Sequence, residues 1–120
     1  MSDYAWIIDV DHLNGPGGEF YNPAKPESIA GTSGPSHARV SAQALRSAET
    51  AKAELARNYR SSNEFRMYDD DGILYVTGTL FWDGGAPEEH QAYGPLGDYG
   101  MPALGCITVR YTGHPEYDCG

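Results

Sequence analysis

At the centre of the chain stands FRMYDDDGILYV (residues 65–76), in which an Asp-Asp-Asp-Gly turn separates two runs of strand-forming residues. Asp-Gly between alternating apolar residues is a strong local signal for a β-hairpin, because glycine readily adopts the positive φ that such a turn requires. We therefore predict a hairpin over residues 64–82. Its tip displays the three consecutive carboxylates of Asp69, Asp70 and Asp71.

Alternation of apolar and polar residues predicts two further strands, one near each end of the chain. Residues 4–11 have apolar side chains at every second position and carry Asp9 and Asp11 on the opposite side, as a half-buried strand does. Residues 73–82, the second strand of the hairpin, are apolar on both faces, which favours a central position in the sheet. The last strand spans residues 105–112, with Ile107, Val109 and Tyr111 facing inward and Thr108 and Arg110 facing outward.

Residues 36–60 are predicted to form one long helix. Pro35 suits the first turn of a helix, and the segment that follows is rich in strong helix formers. A narrow, alanine-rich stripe is expected to pack against the sheet: Val40, Ala44, Ala48, Ala51, Leu55 and Tyr59. The opposite face is interpreted as solvated and carries Arg39, Arg46, Glu49 and Arg57.

The sequence as a whole predicts a single α+β domain over residues 1–120. Two long connections rich in glycine and proline, residues 14–35 and 83–104, are predicted to be irregular loops. The order of strand, helix and three strands favours a small antiparallel sheet of about four strands, with the long helix packed on one face.

The net charge of −9 is unevenly distributed along the chain. Residues 36–66 hold six of the eight basic residues against three of the 17 acids, a local balance of +3, so the remaining residues carry −12. Such a surface repels nucleic acid and attracts a basic partner by long-range steering. We therefore expect a protein partner with a basic surface and no direct binding of nucleic acid. The alternative interpretation is ordinary charge that maintains solubility.

Two other patterns bear on the compartment of the protein. No apolar run approaches the length that crosses a bilayer, and the N-terminus lacks the basic and apolar regions of a signal peptide. We therefore expect a cytoplasmic protein that does not bind membranes.

Cys106 and Cys119 are too few for a disulfide scaffold and are interpreted as free thiols. A disulfide between them stays an alternative if the chain reverses at His114-Pro115.

The residues that could carry chemistry do not have the spacing of a known site. The three acids of the hairpin tip are consecutive, whereas an EF-hand loop needs them at alternate positions, followed by a Glu at the twelfth. One further set matches no zinc motif: Cys106, His114 and Cys119, with His12, His37 or His90 as a fourth ligand. No arrangement of nucleophile, base and oxyanion donors is recognisable. We therefore expect no catalytic residue, no cofactor and no metal ligand.

Tyrosine and acidic side chains coincide in the second long connection. The chain has nine Tyr and two Trp, and Tyr gives a large contact area at low entropic cost in protein interfaces. The alternative is that these aromatic side chains cover a thin core. Together with the hairpin tip, the candidate partner-binding residues are Asp69, Asp70, Asp71, Glu88, Glu89, Tyr93, Asp98 and Tyr99.

Three blocks of sequence carry a resemblance to a known family. They are Tyr4-Ala5-Trp6 with Asp11-His12-Leu13, then FRMYDDDG (residues 65–72), and then PLGDYGMP (residues 95–102) with Gly105-Cys106. In this order they resemble a family of small proteins encoded by bacteriophages and other mobile elements of bacteria. The resemblance implies an accessory protein of a mobile genome that acts inside a bacterial cell, and it implies no particular activity.

The leading functional hypothesis is a non-enzymatic, acidic protein-binding factor of a phage or mobile element. Such a factor inhibits or redirects a host protein, for example one of a defence system or one that handles nucleic acid. Mimicry of DNA by carboxylates is one form of this hypothesis, although the basic segment argues against uniform mimicry. Two alternatives stay open. One is a small metal-dependent enzyme that uses Asp9, Asp11 or the Asp69–Asp71 cluster, and the other is a structural component of the virion.

Overall fold

One antiparallel sheet organises the part of the chain that the structure describes. The computed structural model describes residues 3–14, 18, 29–35 and 48–120. Along the chain the elements are β1 Tyr4–Asp11, β2 Ser33–Gly34, α1 Ala48–Asn58, β3 Ser61–Tyr68, β4 Leu74–Trp82, α2 Glu89–Pro95, a π-helix Leu96–Leu104, β5 Thr108–Tyr111 and a 3₁₀ turn Pro115–Tyr117. The strand order in the sheet is β2-β1-β4-β3-β5. The predicted α+β class and antiparallel sheet are confirmed, but the sheet has five strands rather than about four.

The central hairpin forms as its sequence predicts. β3 and β4 pair in antiparallel register, beginning with Ser61 opposite Trp82. At the tip the Gly72 N–H donates to the Asp69 carbonyl at 3.1 Å, and Gly72 has a φ of +76°. This is the left-handed conformation that glycine adopts without steric cost. The predicted central position of the second strand is also confirmed, because β4 lies between β1 and β3.

The two faces of the sheet are covered by two separate apolar clusters. Successive side chains of a strand point to opposite faces, so Trp6 and Ile8 of β1 join one cluster while Ala5 and Ile7 join the other. The first cluster is closed by α2 and the π-helix, and the second is closed by α1. The sheet therefore carries a helical layer on each face, whereas the sequence predicts a helix on one face only. Within the described ranges, no helix has both the length and the apolar character needed to cross a bilayer.

α1 packs on the sheet through the predicted alanine-rich stripe. Ala51, Leu55 and Tyr59 are at most 5% exposed and belong to the second cluster. The stripe is confirmed for these three residues. The first half of the predicted helix, residues 36–47, lies outside the described residues, as does most of the predicted loop at residues 14–35.

Residues 89–104 form a continuous helix, so the loop predicted over residues 83–104 is wrong for this part and holds only for residues 83–88. The helix begins as α2, where the Glu88 N–H donates to the Gln91 side-chain oxygen at 2.8 Å. It continues as the π-helix and ends at Gly105, which has a φ of +75°. Capping at both ends and burial of one face outweigh the poor helix propensity of this glycine- and proline-rich segment.

Two of the glycines that suggest a loop, Gly94 and Gly100, lie where this helix touches the sheet. A Cβ on Gly94 would lie 2.3 Å from the ring of Tyr4, and a Cβ on Gly100 would lie 2.6 Å from the sulfur of Met67. A larger side chain at either position would force the neighbouring side chain or the helix itself to move. Glycine is therefore required here for close packing, which a single sequence does not distinguish from the demand of a turn.

Pro95 marks the change from α-helix to π-helix. Its ring removes one N–H donor and crowds the carbonyl one turn earlier. The next N–H, that of Leu96, donates to the Tyr93 carbonyl, three residues back. The Ala92 carbonyl, four residues back, accepts the hydroxyl of Tyr111 at 2.6 Å. This hydrogen bond from β5 joins the helix to the sheet at the turn where the α-helix changes to a π-helix.

The last strand is shorter than predicted, and its outer edge is covered. β5 begins at Thr108, so Ile107, which is predicted to face inward, precedes the strand and is 48% exposed. Val109 and Tyr111 are buried, as predicted. Val109 exchanges two backbone hydrogen bonds of 3.0 Å with Cys119, because the chain reverses at the 3₁₀ turn. This pairing protects an edge to which another strand could otherwise add.

Candidate functional site

The eight candidate partner-binding residues fall on two separate parts of the surface. Three of them, Asp69 to Asp71, occupy the hairpin tip beside the start of β4. The other five lie at the start of α2, beside the far end of β4, and on the π-helix. A strand of nine residues spans about 30 Å. The hairpin tip and the start of α2 are therefore distinct patches.

The carboxylate of Asp69 holds the hairpin tip together. Its Oδ1 atom accepts the N–H groups of Asp71 and Ile73, both at 2.9 Å. Burial, and then the charge and hydrogen bond of Asp69, raise the pKa of the Tyr75 phenol. Asp69 thus has a structural role in the turn, whereas Asp70 and Asp71 are exposed.

Asp98 and Tyr99 are tied to β1. The Oδ2 atom of Asp98 accepts the Tyr4 hydroxyl at 2.7 Å and the Trp6 Nε1–H at 3.1 Å. The ring of Tyr99 lies 5.4 Å from that of Trp6. Burial, and then the hydrogen bond and charge of Asp98, raise the pKa of Tyr4. The first and third blocks of the resemblance therefore meet in one cluster, which docks the π-helix on β1.

An open groove of about 980 Å³ lies between the first turn of α2 and the C-terminal segment. We call it the acidic groove, because carboxylates come from both of its walls. Its polar and aromatic lining is Glu88, Glu89, His90 and Tyr93 on the α2 wall and Glu116, Tyr117 and Asp118 on the C-terminal wall. Three of the eight candidate residues thus lie on one concave surface.

The C-terminal wall of the acidic groove is fixed to the sheet. The Oδ1 atom of Asp118 accepts the Tyr111 N–H at 2.7 Å, and its Oδ2 atom lies 3.6 Å from the Arg110 guanidinium. The Tyr117 ring stacks on His114 at a centroid distance of 4.6 Å and meets the Tyr111 ring edge-on at 6.0 Å. A wall that is already ordered loses little conformational entropy when a ligand binds.

The negative charges of the two walls act on the same space. Burial raises the pKa of Cys119, and the carboxylates of Glu89 on α2 and Asp118 on the C-terminal wall raise it further. At the edge of the groove a hydrogen bond of 3.1 Å from His114 lowers the pKa of Glu116, so this carboxylate is ionised at neutral pH. Like charges that converge in a concave site favour a cationic ligand.

The residues of the C-terminal wall, Glu116 to Asp118, are those that the sequence reasoning misses. The available signal is His114-Pro115, which indicates a reversal of the chain just before them. A reversal does not say where the returning segment lies. Its position depends on the pairing of β5 and on the helix that replaces the predicted loop, so the tertiary structure alone brings the two walls together.

Asp9 and Asp11, two residues of the metal-dependent alternative, belong to neither group of three neighbouring metal-ligating side chains found among the described residues. Asp9 accepts the Thr79 hydroxyl at 2.7 Å and lies 3.4 Å from the Lys52 ammonium. Asp11 is 3% exposed, and its carboxylate accepts three backbone N–H groups at 2.9–3.2 Å. Burial by itself would raise the pKa of Asp11, but these hydrogen bonds lower it below its usual value. Both carboxylates therefore have structural partners.

Two groups of three side chains in the described ranges have the proximity of metal ligands. One is the hairpin tip, Asp69–Asp71. The other consists of Asp3, Glu88 and His90, whose ligand atoms lie within 4.8 Å of one another. Neither group contains a cysteine, and both cysteines of the chain are free thiols. The sequence does not suggest the second group, because Asp3 and the start of α2 are far apart along the chain.

No protein-family model, no curated protein and no solved structure matches this chain.

Proposed function

We propose that this chain is a non-enzymatic protein-binding factor that holds a basic segment of a partner protein in the acidic groove. The observation that carries the proposal is the convergence of carboxylates from two distant parts of the sequence on one open cavity of about 980 Å³. They are Glu88, Glu89 and Glu116, with Asp118 partly neutralised by Arg110. Concave sites with convergent polar groups are the usual places of ligand binding. The sign of the charge favours Lys and Arg side chains over acidic or neutral ones.

Tyr93 and Tyr117, one on each wall, add a second element of recognition. Tyr93 is 42% exposed on α2, and Tyr117 is held by its ring contacts with the sheet. Tyrosine rings attract cations through their faces and stack well on the planar guanidinium of arginine. A segment that contains arginine therefore suits both the charge and the aromatic lining of the groove.

The resemblance to proteins of bacteriophages and mobile elements supports a partner in the cytoplasm of a bacterial host. Defence proteins and proteins that handle nucleic acid often present basic surfaces, and occupation of such a surface would inhibit them. Uniform mimicry of DNA has less support. Basic side chains interrupt the acidic surface: Arg66 and Arg110 stand opposite each other on neighbouring strands, and Arg110 lies between the hairpin tip and Asp118 of the groove.

The proposal can be tested with a short peptide of alternating arginine and alanine as a basic probe. Titration into ¹⁵N-labelled protein should shift the backbone amides of Tyr93 and Tyr117 and leave those of the hairpin tip unchanged. The double variant Glu89→Lys/Glu116→Lys should bind the peptide at least tenfold more weakly. The reason is that each reversed charge changes the interaction with a nearby cation by about 2 kcal/mol, given about 1 kcal/mol per charge pair at 4 Å in water.

The matched control reverses the same number of charges at the other acidic patch. Asp70→Lys/Asp71→Lys changes the net charge equally and should alter the peptide affinity by less than twofold at 0.15 M salt, because neither residue lines the groove and exposed charges more than about 8 Å apart are largely screened. Equal weakening in the two double variants would refute the groove as the binding site. Amide shifts spread evenly over the surface would refute it as well.

A further inference from the structure

We propose that Asp3, Glu88 and His90 form a binding site for a divalent transition metal ion, with Zn²⁺ as the representative ion. The Nε2 atom of His90 lies 2.8 Å from Oδ2 of Asp3, and its Nδ1 atom lies 3.4 Å from Oε2 of Glu88. The three ligand atoms lie within 4.8 Å of one another. The site joins the residue that precedes β1 to the first turn of α2.

The donor set matches the chemistry of zinc. Imidazole nitrogen and carboxylate oxygen bind Zn²⁺ at about 2.0–2.2 Å, which separates neighbouring tetrahedral ligand atoms by about 3.3 Å. One ring nitrogen binds the ion, so the carboxylate of Glu88 has to rotate towards the side of His90 that Asp3 occupies. The three side chains are 54–75% exposed, so solvent leaves room for this adjustment, in which the Glu88 carboxylate exchanges its capping contact with the Gln91 N–H for the ion. The hairpin tip has carboxylates alone, a set that suits harder cations.

A buried glutamine holds the backbone on both sides of this site. Gln91 is 6% exposed, and its side-chain N–H donates to the Asp3 carbonyl at 3.0 Å. Its side-chain oxygen accepts the Glu88 N–H at 2.8 Å. The ring of Tyr4 meets that of His90 edge-on at 6.1 Å. These contacts fix the backbone of Asp3 and Glu88 and the position of the His90 ring, so the three ligands start close to one another before an ion binds.

Three protein ligands leave one tetrahedral position of zinc open for water or for a donor atom of another molecule. Glu88 and His90 also line the acidic groove, so a bound dication offsets part of the negative charge on the α2 wall. The metal site nevertheless rests on its own three residues. It does not depend on what the groove binds.

The proposal can be tested by titrating Zn²⁺ alone into the purified full chain and following the heat of binding. We expect one saturable site per chain. The variants Asp3→Asn, Glu88→Gln and His90→Gln should each weaken binding at least tenfold. Nuclear magnetic resonance should show that Zn²⁺ shifts the ring signals of His90 before those of any other histidine. The substituted side chains are exposed, so the backbone spectra should remain those of the folded protein.

Two control variants distinguish this site from unspecific binding. His114→Gln removes a histidine that also lies 3.1 Å from a carboxylate, that of Glu116, but that belongs to neither group of three ligands. Asp70→Asn/Asp71→Asn removes two of the three carboxylates of the other group. Both should keep the zinc affinity within twofold. The proposal is overturned if the wild-type chain shows no saturable site, if His90→Gln binds as tightly as wild type, or if either control weakens binding as much as His90→Gln does.

Discussion

Replacing Asp98 with alanine should destabilise the fold, because this carboxylate ties the π-helix to β1. It accepts hydrogen bonds from the Trp6 indole at 3.1 Å and the Tyr4 hydroxyl at 2.7 Å. Trp6 is 3% exposed, and a buried donor left without its acceptor costs about 1–3 kcal/mol. The Tyr4 side chain is partly exposed, so its hydroxyl can bond to water and adds less. We expect a total loss of about 2 kcal/mol.

Urea unfolding, followed by tryptophan fluorescence and circular dichroism, measures this loss. For a slope of roughly 1.5 kcal/mol/M, a loss of about 2 kcal/mol lowers the unfolding midpoint by roughly 1 M. Asp70→Ala removes the same charge from an exposed position of the hairpin tip and should change stability by less than about 0.5 kcal/mol. This control separates the hydrogen bonds of Asp98 from the general effect of a lost charge.

A double-mutant cycle with Trp6→Phe then isolates the bond to the indole. In that background Asp98→Ala should cost about 1 kcal/mol less, because the donor that it would leave unsatisfied is already absent. If Asp98→Ala costs no more than Asp70→Ala, or if the Asp98 and Trp6 substitutions are additive, the carboxylate does not dock the helix. Asp98 would then be available to bind a partner, as the sequence predicts.

Three further predictions concern packing, thiol reactivity and pH. Gly94→Ala should lower the free energy of unfolding by about 1–3 kcal/mol because its Cβ would meet a tyrosine ring, while Gly85→Ala, which has no atom within 4 Å of its Cβ, should be nearly neutral in the same urea assay. Burial raises the pKa of Cys106 to about 11, which leaves about 0.1% thiolate at pH 8. A Cys119→Ser chain should therefore react with a disulfide reagent only on unfolding, and reaction in the folded state would contradict the burial. The pKa of Asp11 is lowered by folding, so the unfolded state takes up the proton first. The stability that Asp11 contributes is complete above about pH 4 and is lost as the pH falls through the folded pKa. Asp11→Asn should therefore flatten the dependence of the free energy of unfolding on pH below pH 4, and an unchanged slope would contradict this assignment.

The candidate site was only partly predictable from the sequence. Glu89 and Tyr93 were identified from acidic and aromatic residues in one glycine-rich segment, and they do line the acidic groove. Asp98 comes from the same pattern and Asp69 from the acidic hairpin tip, yet the carboxylate of Asp69 binds turn N–H groups and that of Asp98 binds β1 side chains. Composition indicates which residue types are able to contact a partner. It does not show which of them already have partners inside the fold.

The sequence by itself determined the elements that depend on residues close to one another along the chain. The strand over residues 4–11, the Asp-Gly turn at Gly72 and the helical stripe of Ala51 and Leu55 each depend on neighbours within a few positions, and all three form. The predicted half-burial of that strand is wrong, because both faces of the sheet are covered and a register shift between Ile8 and Val10 leaves Val10 45% exposed and Asp11 3% exposed. Steric preferences of the backbone and the 2.0- and 3.6-residue periods act between residues a few positions apart, so a single sequence is enough to predict these elements.

Only the tertiary structure decided that residues 89–104 form a helix rather than a loop, and which sites form around that helix. Gly94 is compatible with a turn and with a close helix contact, and the ring of Tyr4, far away in the sequence, settles which applies. The strand order then sets the start of α2 beside both Asp3 and the C-terminal segment, which creates the metal site that we propose and the acidic groove. Proximity between distant segments follows from how the sheet is assembled, and no local pattern encodes it.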